Sequence, residues 1–210
     1  MAQYSVRMKH TRQQVKMGLG LQFSEAQMRA RKGIVILDMW DAETGEILHH
    51  DEVDNIITRD AGIAGAAHFK GDLTGGLKML AVGTGATGNI LSPDAPQATQ
   101  RMLNNEIARK AFSSTTYRTA EGVAVSYRTN IVDFTTTFGE GEAVGALDEM
   151  GLLVPASVNP AVTNPIDNGP TDYDATIDVD GLDLMVNYLT FAVVAKPGTA
   201  VLAITWRLTF

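Results

Sequence analysis

The residues with the best spacing for chemistry are Gly83-Thr84-Gly85-Ala86-Thr87-Gly88. They follow an apolar run and fit G-x-G-x-x-G, a spacing by which backbone N–H groups cradle a phosphate. The lysine of a P-loop is missing, and Pro93 and Pro96 stand where a helix would have to follow. A wide turn that needs positive φ accounts for these glycines better. Thr176-Ile177-Asp178-Val179-Asp180-Gly181 offers a second pattern, with acids two apart before a glycine. An EF-hand needs Asp first and Glu twelfth, but these positions hold Thr176 and Asn187. Only a weak surface cation site from Asp178, Asp180 or Asp183 fits.

The four histidines do not gather. His49-His50 fall on an expected strand and point to opposite faces, so they cannot chelate one metal as a pair. His10 and His68 stand far from them in sequence. Glu140 and Glu142 lie in a glycine turn, which reads as solvated acids rather than a catalytic pair. The chain has no cysteine, so disulfides, thiolate catalysis and cysteine-ligated metals are excluded. No His-Glu-x-x-His or Gly-x-Ser-x-Gly occurs. The expectation is a protein that is not an enzyme, with no catalytic residues, no cofactor and no metal.

The elements that must carry these residues are mostly strands. Residues 201–210 alternate strictly, with Leu202, Ile204, Trp206, Leu208 and Phe210 on one face. Ile34 to Leu37 and Glu46 to Val53 form a hairpin about the turn at Asp41–Gly45. Asn55 to Phe69 change to a helical period, capped at Asn55 or Thr58, with Ile56, Ile57, Ile63, Ala64 and Ala67 as its apolar stripe. Further strands are expected at Leu77–Val82, at Val123–Tyr127, at Val132–Phe138, at Leu147–Val154, and from Leu189 through Phe191 and Val193. Phe134, Phe138, Phe191, Trp206 and Phe210 are the expected aromatic core. Turn signals between short strands predict a mainly β fold, an antiparallel β-sandwich or jelly-roll-like barrel with one or two short helices and an extended N-terminal arm.

Charge divides the chain. The net charge is −7, yet residues 1–32 carry +6 and residues 33–210 carry −13. This predicts a basic arm at 1–32, holding a short helix behind Ser24, and a β-sandwich body at 33–210. Within the body, about 155–181 is rich in Pro, Asn and Asp and reads as an exposed loop or insertion. The arm offers Arg7, Lys9, Arg12 and Lys16 as charges, with Tyr4, Leu21 and Phe23 as apolar anchors for contacts with a neighbouring copy. It lacks interleaved aromatics, and an acidic body opposes phosphate, so nucleic acid is disfavoured. No apolar run has the length of a membrane span, and the first 30 residues hold no apolar block of the kind a signal peptide needs.

Several short motifs follow one another in a telling order. They are Asn55-x-Ile57-Thr58, Leu80-Ala81-Val82-Gly83-Thr84-Gly85-Ala86-Thr87, and Leu103-x-x-Glu106-x-x-Arg109-Lys110. Val132-x-Phe134-x-Thr136-x-Phe138, Glu149-x-Gly151-Leu152-Leu153 and Ile204-Thr205-Trp206-x-Leu208-Thr209-Phe210 complete the series. Over about residues 53–154 and 184–210 the chain resembles a loose family of bacteriophage virion proteins, the tail-fibre and minor tail structural proteins. The arm and the 155–181 segment are not part of that pattern. The resemblance implies a non-enzymatic β-sandwich component of a phage tail, baseplate, fibre or neck, a homo-oligomer located in the virion and assembled in the bacterial cytoplasm. Its implied partners are other copies of itself and other virion structural proteins. A host-surface glycan-binding module and a capsid decoration protein are alternatives, and a hydrolase of the cell envelope is a more distant third.

Overall fold

The computed structural model describes residues 33–71, 76–154 and 183–210. The expected arm contacts Tyr4, Arg7, Lys9, Arg12, Lys16, Leu21 and Phe23, the helix behind Ser24 and the 155–181 loop lie outside these residues. The fold is mainly β. In chain order the elements are β1 (Gly33–Asp41), β2 (Ile47–Ile57), α1 (Arg59–Lys70), β3 (Met79–Gly83), β4 (Gly88–Asn89) and β5 (Ser92–Pro93). Then come β6 (Glu106–Ala111), β7 (Ser114–Arg118), β8 (Ala124–Val125), β9 (Ile131–Phe138), β10 (Gly145–Val154), β11 (Leu184–Lys196) and β12 (Ala200–Thr209). Ten strands form one antiparallel sheet in the order β6-β3-β10-β11-β2-β1-β12-β9-β7-β8, with β4 and β5 as a separate small hairpin. Among the described residues the sheet does not close: β6 and β8 each pair with one strand.

Alternation explains the centre of the sheet. β12 lies between β1 and β9, with Trp206 opposite both Val35 and Phe134. Val35, Leu37, Met39, Leu202, Ile204, Trp206 and Phe138 are buried in one cluster. Leu80, Val82, Met150, Leu152, Leu189 and Phe191 from β3, β10 and β11 join the same cluster. The two ends of the sheet therefore share one core, in the manner of a sandwich. β2 links them, pairing with β1 along its length and with β11 only through Ile56 and Ile57.

Several details differ from the sequence expectation, among them the strand expected at Val123–Tyr127, which shortens to Ala124–Val125 with Val123 and Tyr127 exposed. Phe210 is 62% exposed. β12 ends at Thr209, opposite Ile131, so Phe210 lies beyond the paired part of the strand. Its backbone instead pairs with Asn130, accepting from Nδ2 at 3.1 Å and donating to the carbonyl at 2.9 Å. Phe134 faces the core but is half-buried, its ring 5.0 Å from Phe112. On β11, Val194 is buried rather than Val193, because the stretch from Thr190 to Val194 stands opposite only Leu147 to Glu149 of β10. That irregularity shifts the inward phase of the strand.

The helix also starts later than expected. Ile56 and Ile57 finish β2, Ile63 is 44% exposed, and Ala64 makes the buried contact. Thr58 occupies the N-cap position without capping. Its hydroxyl donates to the Met185 carbonyl and its N–H donates to Val186 O, which fastens the helix start to β11. Gly71 ends the helix at φ 84°, the left-handed conformation that glycine adopts without strain.

Candidate functional site

Glu149 is fully buried on β10, between β3 and β11. A buried carboxylate is costly unless donors surround it. Here four do. Oε1 accepts from the N–H of Gly85 at 3.1 Å and of Asn105 at 2.8 Å. Oε2 accepts from the N–H of Asn104 at 3.0 Å and from the Tyr188 hydroxyl at 2.8 Å. Charge-assisted bonds of this kind are about twice as strong as neutral ones. Burial, then the hydrogen bond and charge of Glu149 and the charge of Asp148, push the Tyr188 phenol upward, so it keeps its proton.

This arrangement decides what the glycine loop does. Beside Glu149, Asp148 Oδ1 accepts from Ala86 N–H at 3.0 Å. Two carboxylates of the chain thus stand where a phosphate would sit, and the loop N–H groups are already engaged. The glycines are needed for close approach. A Cβ on Gly83 would lie 2.5 Å from Asn105 O, and one on Gly85 would lie 2.7 Å from Glu149 Oε1. Neither has a positive φ; only Gly88 of the three does, at 95°. The positive-φ expectation therefore holds for one glycine and is corrected for two.

The other chemistry-bearing residues are also drawn into the architecture. Arg109 is buried between Glu106, bound by Nε at 2.5 Å and Nη2 at 3.0 Å, and Asp183, bound by Nη1 at 2.8 Å. Asp183 is therefore a buried ion-pair partner, not a surface cation ligand; Asp178 and Asp180 lie outside the described residues. Glu142 is not a solvated acid: it accepts from Lys110 Nζ at 2.5 Å and from Gly139 N–H at 2.8 Å. Burial opposes ionisation of Glu142, but Lys110, the Gly139 N–H and the Lys196 charge hold its carboxyl below the ordinary value. Asp133 on β9 is buried between Arg118, at 2.8 Å, and Arg207, at 2.7 and 2.9 Å. His50 Nδ1 lies 2.6 Å from Asp38 Oδ1 on the exposed side of the hairpin, while His49 faces the other way.

One open cleft borders this hub, with a volume of about 420 Å³. Its walls include Thr87, Asp94, Gln97, Gln100, Asn104 and Tyr188. The hydroxyls of Thr87 and Thr190 donate to Asp94, and both hydrogens of the Gln100 amide go to Met102 O and Asn104 Oδ1. The groups left facing outward are chiefly acceptors. Such a lining suits a ligand that brings hydroxyl or ammonium donors. Among the described residues, no three metal-ligating side chains stand together, and no helix is long and apolar enough to cross a membrane.

The sequence reading singled out the glycine loop but missed its occupant. The signal available was Glu149 itself, an acid between Leu147 and Leu152 in a strand too apolar to lie at the surface. Asn104 and Asn105 reach Glu149 through backbone N–H groups, which leave no mark in the sequence, while their side-chain amides donate to Gly85 O and Thr84 Oγ1. No protein-family model matches this chain, and no curated protein is similar to it.

Proposed function

We propose that this chain is a structural component of a bacteriophage particle, in the tail, baseplate, fibre or neck, and that it acts through subunit interfaces. One observation carries the proposal. Three of the segments behind the phage resemblance, Leu80–Thr87, Leu103–Lys110 and Glu149–Leu153, meet around Glu149. The pattern that suggests the family is the pattern that pins two loops to one strand of the sheet. Its acids and glycines serve rigidity, which suits a subunit whose task is to present surfaces. The basic 1–32 segment and the acidic remainder supply a reason for copies to associate. Labelling the protein and locating it by electron microscopy in purified virions tests this. Regular decoration of a tail, baseplate, fibre or neck is expected. Absence from virions overturns the proposal, and decoration of the capsid shell replaces it with the capsid reading.

The acceptor-lined cleft favours a second reading, a module that binds a host-surface glycan. Asp94→Ala with Gln100→Ala would then abolish binding to host envelope polysaccharide without changing incorporation into particles. Under the assembly reading neither variant changes adsorption. Both readings expect no turnover of peptidoglycan or capsular polysaccharide by the purified protein.

A further inference from the structure

The β1–β2 hairpin, residues 33–57, holds seven acids and neither Lys nor Arg. Its charge of −7 nearly balances the +6 of residues 1–32. The register sorts its side chains. Val35, Leu37 and Met39 point into the core, so Ile34, Ile36, Asp38 and Trp40 share the outer face. On β2 their outer-face partners are Asp54, Glu52, His50 and, past a bulge, Ile47. Ile34, Ile36 and Trp40 are only half-buried, and Ile47 is 75% exposed. Glu46 and Asp54 make no ion pair with any described residue, and Glu52 acts at longer range on Arg207, the β12 partner of Ile34 on this face. Among the described residues, Ile47–Asn55 pairs with β1 alone, and an edge of this kind can accept a further strand. The face thus combines apolar side chains, an acidic rim and an unpaired backbone edge.

We infer that the outer face of the β1–β2 hairpin is the docking surface for the 1–32 segment of a neighbouring copy. The inference rests on the assembly reading above and names the acceptor surface within it. Charge complementarity selects this occupant. Arg7, Lys9, Arg12 and Lys16 meet the acids, and Tyr4, Leu21 and Phe23 cover the half-exposed Ile34, Ile36 and Trp40. Apolar contact is required, because exposed ion pairs contribute little individually. Thirty-two residues suffice to reach a neighbour, since an extended chain covers about 3.3 Å per residue.

Full-length charge swaps test this by sedimentation. One variant carries Arg7→Glu, Lys9→Glu, Arg12→Glu and Lys16→Glu. The other carries Glu46→Lys, Glu52→Lys and Asp54→Lys, and a cooperative melt near that of the parent shows that its body is intact. Wild-type protein should self-associate, and ~1 M salt, which cuts the screening length to about 3 Å, should weaken that association. Each variant alone should associate about tenfold or more weakly, a step of about 1.4 kcal/mol or more. The two variants mixed should form hetero-complexes, because each arm then finds a hairpin of opposite sign. Wild-type protein that never self-associates overturns the assembly reading as well. Loss of association with the arm swap but not the hairpin swap overturns this inference alone. Two swaps that weaken association singly but show no complementation on mixing overturn docking onto a neighbour.

Discussion

The two ends of the sheet solve burial differently. Around β1, β12 and β9 the inner face is almost entirely aliphatic and aromatic, from Val35 to Trp206 and Phe138. Its one buried carboxylate, Asp133, sits on the outer face between two arginines. Around β3, β10 and β11 the strands bury Glu149, Asn187 and Lys196 and pack beside the buried Arg109 and Asp183. The first region is held by non-directional packing, which depends on volume and tolerates exchange of similar side chains. The second is held largely by directed bonds, and a buried donor stripped of its partner costs more than its bond contributed. One end should therefore yield gradually to substitution, and the other should fail at single atoms.

The largest effect should fall on the apolar end. Trp206→Ala removes a fully buried indole and should cost about 3–5 kcal/mol. Deleting residues 201–210 removes the partner of both β1 and β9 and should leave no cooperative melt at all. Phe210→Ala, four residues on, should change stability by under about 0.5 kcal/mol, since Phe210 is exposed. Chemical denaturation of the two point variants measures the contrast, and equal costs would break it.

At the polar end, Glu149→Ala strands three N–H groups and a phenol. A loss of about 3 kcal/mol or more is expected, from about 1–3 kcal/mol for each unsatisfied buried donor that water does not reach. Glu149→Leu should be no better, although it restores volume. If Glu149→Leu proved as stable as the parent, the hub would be ordinary core.

Tyr188→Phe sharpens the same point with a smaller change. It removes one of four donors and should cost about 1 kcal/mol at neutral pH. The raised phenol pKa has a sign. The folded state keeps a proton that the unfolded chain loses near the ordinary value of 10. Stability should therefore fall as pH rises above that value, and this alkaline limb should flatten in Tyr188→Phe. The smallest expected effect is at Glu142, where the folded pKa is lowered. Its contribution is present above the ordinary value of 4.5 and is lost as pH falls through the folded value. Glu142→Gln should flatten that acid limb at a cost under about 1 kcal/mol at pH 7.

The apolar end was legible in the sequence because alternation of side chains is a local property. Leu202, Ile204 and Trp206 declare their face without any knowledge of partners. The terminus was misjudged at Phe210 because alternation does not say where the neighbouring strand stops. The phase of β11 beyond Phe191, with Val194 inward, is not legible locally because irregular pairing is set by the partner strand. The polar end was barely legible. Glu149, Asn104, Asn105 and Gly85 are distant in sequence, and three of the four act through backbone N–H groups that every residue has. The Gly-x-Gly spacing reads as a positive-φ turn, and nothing in it says that the backbone is crowded at Gly83 and Gly85 or that a carboxylate of the same chain fills the space.

Amide hydrogen exchange at Gly85, Asn104 and Asn105 tests most directly whether Glu149 takes the place that the glycine loop would otherwise offer a ligand. In the native protein all three should be protected to a degree comparable with the centre of β10, and added phosphate should not change them. In Glu149→Gln one acceptor oxygen becomes a donor, so protection at one or more of the three should fall about tenfold or more, while Trp206 and its neighbours on β12 stay unchanged. Rapid exchange of all three amides in the native protein, or phosphate-dependent protection of the loop, would contradict the account.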